Sequence, residues 1–150
     1  MSSDVVIERL DLADTQAIRI AVLRRGTPAT TAVYDGDDLP TTVHIGARRN
    51  GVVVATSTWI LAAWPHDPAL PAVQLRGMAV DDSLQGTGIG RRLVDAGINH
   101  ARDAGASIVW AKARDSAMSF YERCGFRVVG EQFTETASGM PHHLVVREVS

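Results

Sequence analysis

The chain has 150 residues, 45% of them hydrophobic and 21% charged, with a formal net charge of −2. This length supports a single domain, residues 1–150, with a core that needs no disulfides, and the charge balance provides no basic face for nucleic acid. One cysteine, Cys124, excludes a disulfide framework and a cysteine-rich zinc site. The opening MSSDVVIERL lacks the basic-then-apolar layout of a signal peptide. The most apolar stretch, 52–64, is short and holds Thr56, Ser57 and Thr58, so no membrane span is expected. A cytoplasmic location is the expectation.

In chain order, Val5 to Leu10 predicts a short strand. Residues 14–25 follow a helical period, with Ala17, Ile18, Ala21 and Val22 on one side. Asp14 or Thr15 caps that helix, and Gly26 and Pro28 end it. Residues 26–40 read as a loop. Val43, Ile45 and Ala47 then alternate, Asn50-Gly51 supplies the positive φ angles of a tight turn, and a β-branched run follows, which together predict a hairpin. AWPHDPALP (63–71) is a proline-marked loop, where His66 and Asp67 need no further role. AVQLRGMAV (72–80) is a strand. A helix then runs to about Ala104 with Leu93, Ala96, Gly97 and Ala101 on one face, stopped by Gly105. SIVWAKA (107–113) is a buried strand, and Asp115 or Ser116 caps a short helix through Arg123, ended by Gly125. FRVVGEQF and HHLVVREV supply the last two strands. This order, β-α-loop-β-β-β-α-β-α-β-β, mixes hairpins with crossovers and predicts an α/β protein with a mixed sheet.

Between the strand at 72–80 and its helix lies LQGTGIGRRL, residues 84–93. Strand, glycine turn and helix form an anion site, because the turn and the helix start both present free N–H groups. The spacing discriminates among pyrophosphate ligands. A dinucleotide fingerprint needs G-x-G-x-x-G, but Gly86-Thr87-Gly88 is followed by Gly90, and Arg91 fills the third glycine's place. The ribose-binding acid is missing from 107–114 as well, so a nicotinamide-dependent oxidoreductase fails. A P-loop string is absent.

What remains is Q-x-x-G-x-G, as Gln85-Gly86-Thr87-Gly88-Ile89-Gly90, followed by Arg91. It resembles the coenzyme A pyrophosphate motif of the GCN5-related N-acetyltransferases (GNAT). A second block, ARDSAMSFYERCGFRVVGE, is similar to that family's Phe-Tyr helix, Gly-Phe and following strand. The resemblance covers residues 75–131 closely and the rest in outline. Two positions depart from it. Arg114 stands where asparagine is frequent, so that residue's usual polar contact with the cofactor is not carried over. Asp82 stands where proline is common.

The resemblance implies a GNAT fold: a mixed sheet of six or seven strands, helices on both faces, and a splayed central pair formed by the strands at 73–80 and 107–113. It further implies that acetyl-CoA is the co-substrate, with no metal. The pantetheine arm would pair with the backbone of Met78, Ala79 and Val80. Gln85, Gly86, Thr87, Gly88, Ile89, Gly90 and Arg91 would hold the pyrophosphate, with Gly88 and Gly90 avoiding a Cβ near phosphate oxygens or a strained φ. Ser116 joins this cofactor set. Tyr121 takes the family's general-acid position, donating to the leaving sulfur.

The base is left open among His44, His142 or His143, Glu131, Glu135 and a water chain. EQFTETASGMPHH is similar to the end of one acetyltransferase subgroup in which an acid and a Pro-His pair border the acceptor, which favours Glu135 and His142. Arg76 shares a strand face with Met78 and Val80 and is a candidate for an acidic acceptor, ahead of Arg24. Cys124 reads as core. The expectation is an acetyl-CoA-dependent N-acetyltransferase acting on a primary amine, of small-molecule class, with no nucleic acid or membrane partner and a homodimer open to it. The alternatives are an acyl-CoA-sensing module and a protein or peptide N-acetyltransferase.

Overall fold

The computed structural model describes residues 4–136 and 138–149. The reading of the chain's opening and of the segment around residue 137 therefore lies partly outside the described residues. Seven strands form one hydrogen-bonded order: β1 (Val5–Leu10), β2 (Val43–Arg49), β3 (Val52–Leu61), β4 (Ala72–Val80), β5 (Ile108–Arg114), β7 (Pro141–Glu148) and β6 (Arg127–Thr134). The helices are α1 (Leu12–Leu23), α2 (Ile89–Asp103) and α3 (Met118–Arg123). Pairing is antiparallel for β1/β2, β2/β3, β5/β7 and β6/β7, and parallel for β4/β5, so the sheet is mixed as expected. The chain divides into two compact units, one holding the chain through Leu61 and Leu75–Gly97, the other Ala62–Gln74 and the chain from Ile98.

In the first unit the hairpin turns at Asn50 (φ 52°) and Gly51 (φ 78°), the two left-handed residues a tight two-residue loop requires. Strand alternation then separates two faces of β3. Thr58 points to the α1 side, where it accepts a hydrogen bond from Arg19 of that helix. Trp59 points to the α2 side, where a Cβ on Gly97 would lie 1.9 Å from its ring. Helices therefore cover both faces, and Gly97 is in the sequence because the Trp59 indole takes the space of a side chain. On the part of α2 in this unit, Leu93 and Val94 are buried.

Helix α1 begins at Leu12 rather than at 14. Asp14 does act at this terminus, but from inside the first turn: its carboxylate accepts the Asp11 N–H at 3.1 Å. Asp11 is the cap, three residues upstream of the Asp14 read from the sequence.

The second unit is built on β5, β7 and β6. Trp64, Ala72, Ile108, Trp110 and Val146 form its core on one face, and the Trp110 indole N–H donates to the Ala62 carbonyl at 3.0 Å. The β4/β5 ladder spans only Ala72–Gln74 against Ile108–Trp110. Beyond it β5 continues paired with β7 alone.

Candidate active site

The glycine turn belongs to the first unit. Leu84 and Ile89 are buried and anchor it, while the residues between them are exposed. Gly86 (φ 80°) and Gly88 (φ 90°) both adopt left-handed backbone, and a Cβ on either would meet nothing within 4 Å. The glycines are thus required by backbone conformation, and the space above them is open. Gly90 differs: it lies in the first turn of α2 and is not among the residues of positive φ, so backbone conformation does not require glycine there. Among the described residues, the N–H groups of Gly86, Gly88, Ile89, Gly90 and Arg91 donate to no protein acceptor. Five N–H groups without a protein acceptor at a helix start are an arrangement that can accept an anion. Arg91 is exposed at its edge.

The Gln85 side chain does something the motif does not reveal. Its Nε2 donates to the Val80 carbonyl at 3.3 Å and to Asp82 Oδ1 at 3.2 Å, tying the turn to the end of β4. Asp82 also pairs with Arg25 at 2.8 Å. Just before Met78, Ala79 and Val80, Gly77 interrupts the strand with φ 61°.

Beneath Gly77 lies a buried network that sequence reasoning missed. Arg19 is fully buried. It donates to both carboxylate oxygens of Asp37 (2.7 and 3.1 Å), to the Ala32 carbonyl at 2.6 Å and to Thr58 at 2.6 Å. Its guanidinium lies 4.8 Å from the Tyr34 ring centre, and a Cβ on Gly77 would come 3.2 Å from its Nη2. Its Nε is buried without a hydrogen bond. The network fastens the irregular segment between α1 and β2 to the sheet. The helical side read from Ala17, Ile18, Ala21 and Val22 hid it: Ala17 and Ala21 are exposed, and the buried side of α1 is Thr15, Ile18 and Arg19, an arginine for which exposure is the ordinary reading.

His44 belongs to the same network. Its Nδ1 meets Thr58 Oγ1 at 2.7 Å and its Nε2 meets the Asp37 carbonyl at 3.0 Å, so neither ring nitrogen is left for a substrate. Arg76 donates to the Asp35 carbonyl at 2.8 Å and so holds the same segment, while Arg24 lies over the Tyr34 ring.

Removing Arg19 leaves a buried carboxylate with no counter-charge, and breaking such a pair costs about 3–5 kcal/mol. Arg19→Met is therefore expected to lower unfolding free energy by that order, measured by denaturant titration. The double variant Arg19→Met/Asp37→Leu should recover most of it, because the stranded charge is gone. Burial by itself raises the Asp37 carboxyl pKa, but hydrogen bonds from Arg19 and the Tyr34 N–H outweigh it, and the net position is below the usual 3.8. A depressed folded value means that this stabilisation is complete above 3.8 and is lost as pH falls through the folded value. Thermal unfolding below about pH 4 should therefore show a steeper loss in wild type than in the double variant.

In the second unit, Tyr121 is buried on α3, with its ring edge-on to Phe120 and Phe126 at 5.4 Å each. Among the described residues its hydroxyl has no hydrogen-bond partner. Burial, with a smaller contribution from Cys124, pushes its pKa up to about 12, so it keeps its proton at any working pH. Cys124 is buried, as expected of core. Ser116 is exposed in the 3₁₀ turn before α3.

The residues of the last hairpin separate. Glu135 pairs with Lys112 at 3.6 Å, and its carbonyl accepts the Gly139 N–H in the turn. His142 is buried against Phe133, with Nδ1 2.9 Å from the Met140 carbonyl. His143 instead faces Asp115, with Nδ1 2.7 Å from Oδ1. Glu131 is exposed on β6. Among the described residues no His, Cys, Asp or Glu cluster could hold a metal ion, and no helix is long and apolar enough to cross a membrane.

The fold is the one found in N-acetyltransferases. Escherichia coli ElaA matches it with a TM-score of 0.78 over 97% of this chain and 100% of that one, at 20% identity. So does yncA from Salmonella typhimurium, a structure with its cofactor acetyl-CoA, with a TM-score of 0.72 over 97% and 94% at 19% identity. In sequence, the N-acetyltransferase YitI of Bacillus subtilis (strain 168) is 24% identical over 140 residues, 93% of each chain, and is itself uncharacterized. The acetyltransferase (GNAT) family model matches residues 15–126, a span that runs from α1 through the glycine turn to α3, and the chain belongs to that family.

Proposed function

We propose that this protein transfers the acetyl group of acetyl-CoA directly to a primary amine of a small molecule. The observation that carries this reading is the turn at Gln85–Arg91, whose five unpaired N–H groups suit a pyrophosphate. The yncA relative with bound acetyl-CoA supports the choice of donor. When bound, acetyl-CoA supplies the thioester that the amine attacks. Met78, Ala79 and Val80 offer backbone groups to its pantetheine, Ser116 adds a hydroxyl, and Gly86, Gly88, Ile89, Gly90 and Arg91 hold the phosphates. Gln85 acts through Val80 and Asp82, fixing the turn rather than touching the ligand.

In the transfer, the amine nitrogen forms a bond to the carbonyl carbon and the carbon–sulfur bond breaks. The nitrogen loses a proton and the sulfur gains one. Tyr121 is the general acid for the sulfur. A pKa of about 12 lies well above that of a thiol, near ~8.5, so its O–H first stabilises the growing sulfur charge as a hydrogen-bond donor. The nitrogen's proton then restores the balance.

The test is release of coenzyme A thiol from acetyl-CoA in the presence of spermidine, L-lysine, kanamycin and an alanine-initial peptide. Release with one of the first three supports a small-molecule acceptor. Release with the peptide alone moves the acceptor to proteins. Tight acetyl-CoA binding with no release identifies a sensing module instead.

A further inference from the structure

We propose that His143, oriented by Asp115, is the base that takes the proton from the acceptor amine. The inference rests on the acetyl-transfer reading above, and it moves the role away from His142 and Glu135. An alkyl ammonium has a pKa near ~10.4, so at neutral pH it must be deprotonated before it can attack.

Of the candidate bases, His143 has the geometry the task requires. Its Nδ1 is 2.7 Å from Asp115 Oδ1. The Asp115 carboxyl is held below its usual range, first by the Gln132 amide hydrogen bond and then by His143 itself, so it is a carboxylate and accepts from Nδ1–H. That fixes the tautomer: the lone pair is on Nε2, which has no protein partner among the described residues. The His143 side chain is 24% exposed.

The sheet places it on the same side as Tyr121. His143 is paired with Ala113 and shares its face of β7 with Val145 and Arg147. Arg147 donates to the Cys124 carbonyl at the end of α3, so this is the face that α3 covers. His142 is one residue away and therefore on the opposite face, with Leu144 and Val146 of the tryptophan-rich core. Glu135 is already committed to Lys112, and His44 has both nitrogens engaged.

The test compares wild type with His143→Gln, His143→Ala and Asp115→Asn, using coenzyme A release with the four amines named above and acetyl-CoA affinity by calorimetry. Expected is a fall in kcat of about 10²–10⁴-fold for His143→Gln, with acetyl-CoA affinity unchanged, partial rescue of His143→Ala by added imidazole, and a smaller fall for Asp115→Asn. Imidazole rescue separates a base from a packing role. Turnover by His143→Gln within threefold of wild type overturns the proposal and leaves the transferase reading intact. A parallel fall in acetyl-CoA affinity also overturns it. Wild type that binds acetyl-CoA but releases nothing with any of the four overturns the transfer reading, and this base with it.

Discussion

Gly88→Val is expected to reduce acetyl-CoA affinity by roughly 10²–10⁴-fold while the chain stays folded. Gly88 sits at φ 90°, where a β-branched residue is strongly disfavoured, so the turn must deform to admit valine. No atom lies within 4 Å of the new Cβ, so the damage is conformational and local. A deformed turn re-aims the N–H groups of Gly88 and Ile89. Each hydrogen bond to a charged group is worth about 1.5–3 kcal/mol, and losing two gives the stated range at 1.4 kcal/mol per tenfold. Gly105→Val is the matched control, because Gly105 has φ 83° and equally open space but lies after α2, away from the turn. Calorimetry should show binding lost in the first variant and kept in the second, with similar shifts in Tm. Equal affinities in the two would mean that the glycine turn does not hold the cofactor.

The second large effect is expected at Tyr121. Tyr121→Phe should lower kcat by about 10²–10⁴-fold, the usual contribution of a positioned proton donor, with acetyl-CoA affinity within twofold of wild type. The ring makes the packing contacts with Phe120 and Phe126, and phenylalanine preserves them. The hydroxyl has no protein partner to strand, so thermal stability should be nearly unchanged. Separate measurement of kcat and affinity decides the matter. If both fall together, the residue supports the cofactor's surroundings and does not donate to sulfur.

The strand-turn-helix around Gly86 and the hairpin at Asn50-Gly51 were legible because each depends on local chemistry. Glycine at a left-handed position, and alternation along a half-buried strand, are properties of neighbours in sequence. The strand and helix order followed from the same signals, and the family from the resemblance of the glycine turn and the Phe-Tyr helix block to the GNAT motifs. The Arg19–Asp37–Thr58–His44 network was not legible, because its members are brought together from α1, an irregular segment and two strands, and no spacing links them. His44 illustrates the consequence: alone on a hairpin it resembles an available base, but the fold occupies both of its nitrogens. The two last-strand histidines were separable only through register. The pairing of Arg114 with His142 and of Ala113 with His143 assigns them to opposite faces, and only His143 meets a carboxylate. Gln85 shows a subtler limit, since the motif marks the residue as important but does not reveal that its side chain ties the turn to Val80 and Asp82.

The most direct measurement is a calorimetric titration of the wild-type protein with acetyl-CoA and, separately, with NAD⁺. Saturable binding of acetyl-CoA, competed by coenzyme A and absent for NAD⁺, is the expected result. Binding of NAD⁺ without binding of acetyl-CoA would contradict it.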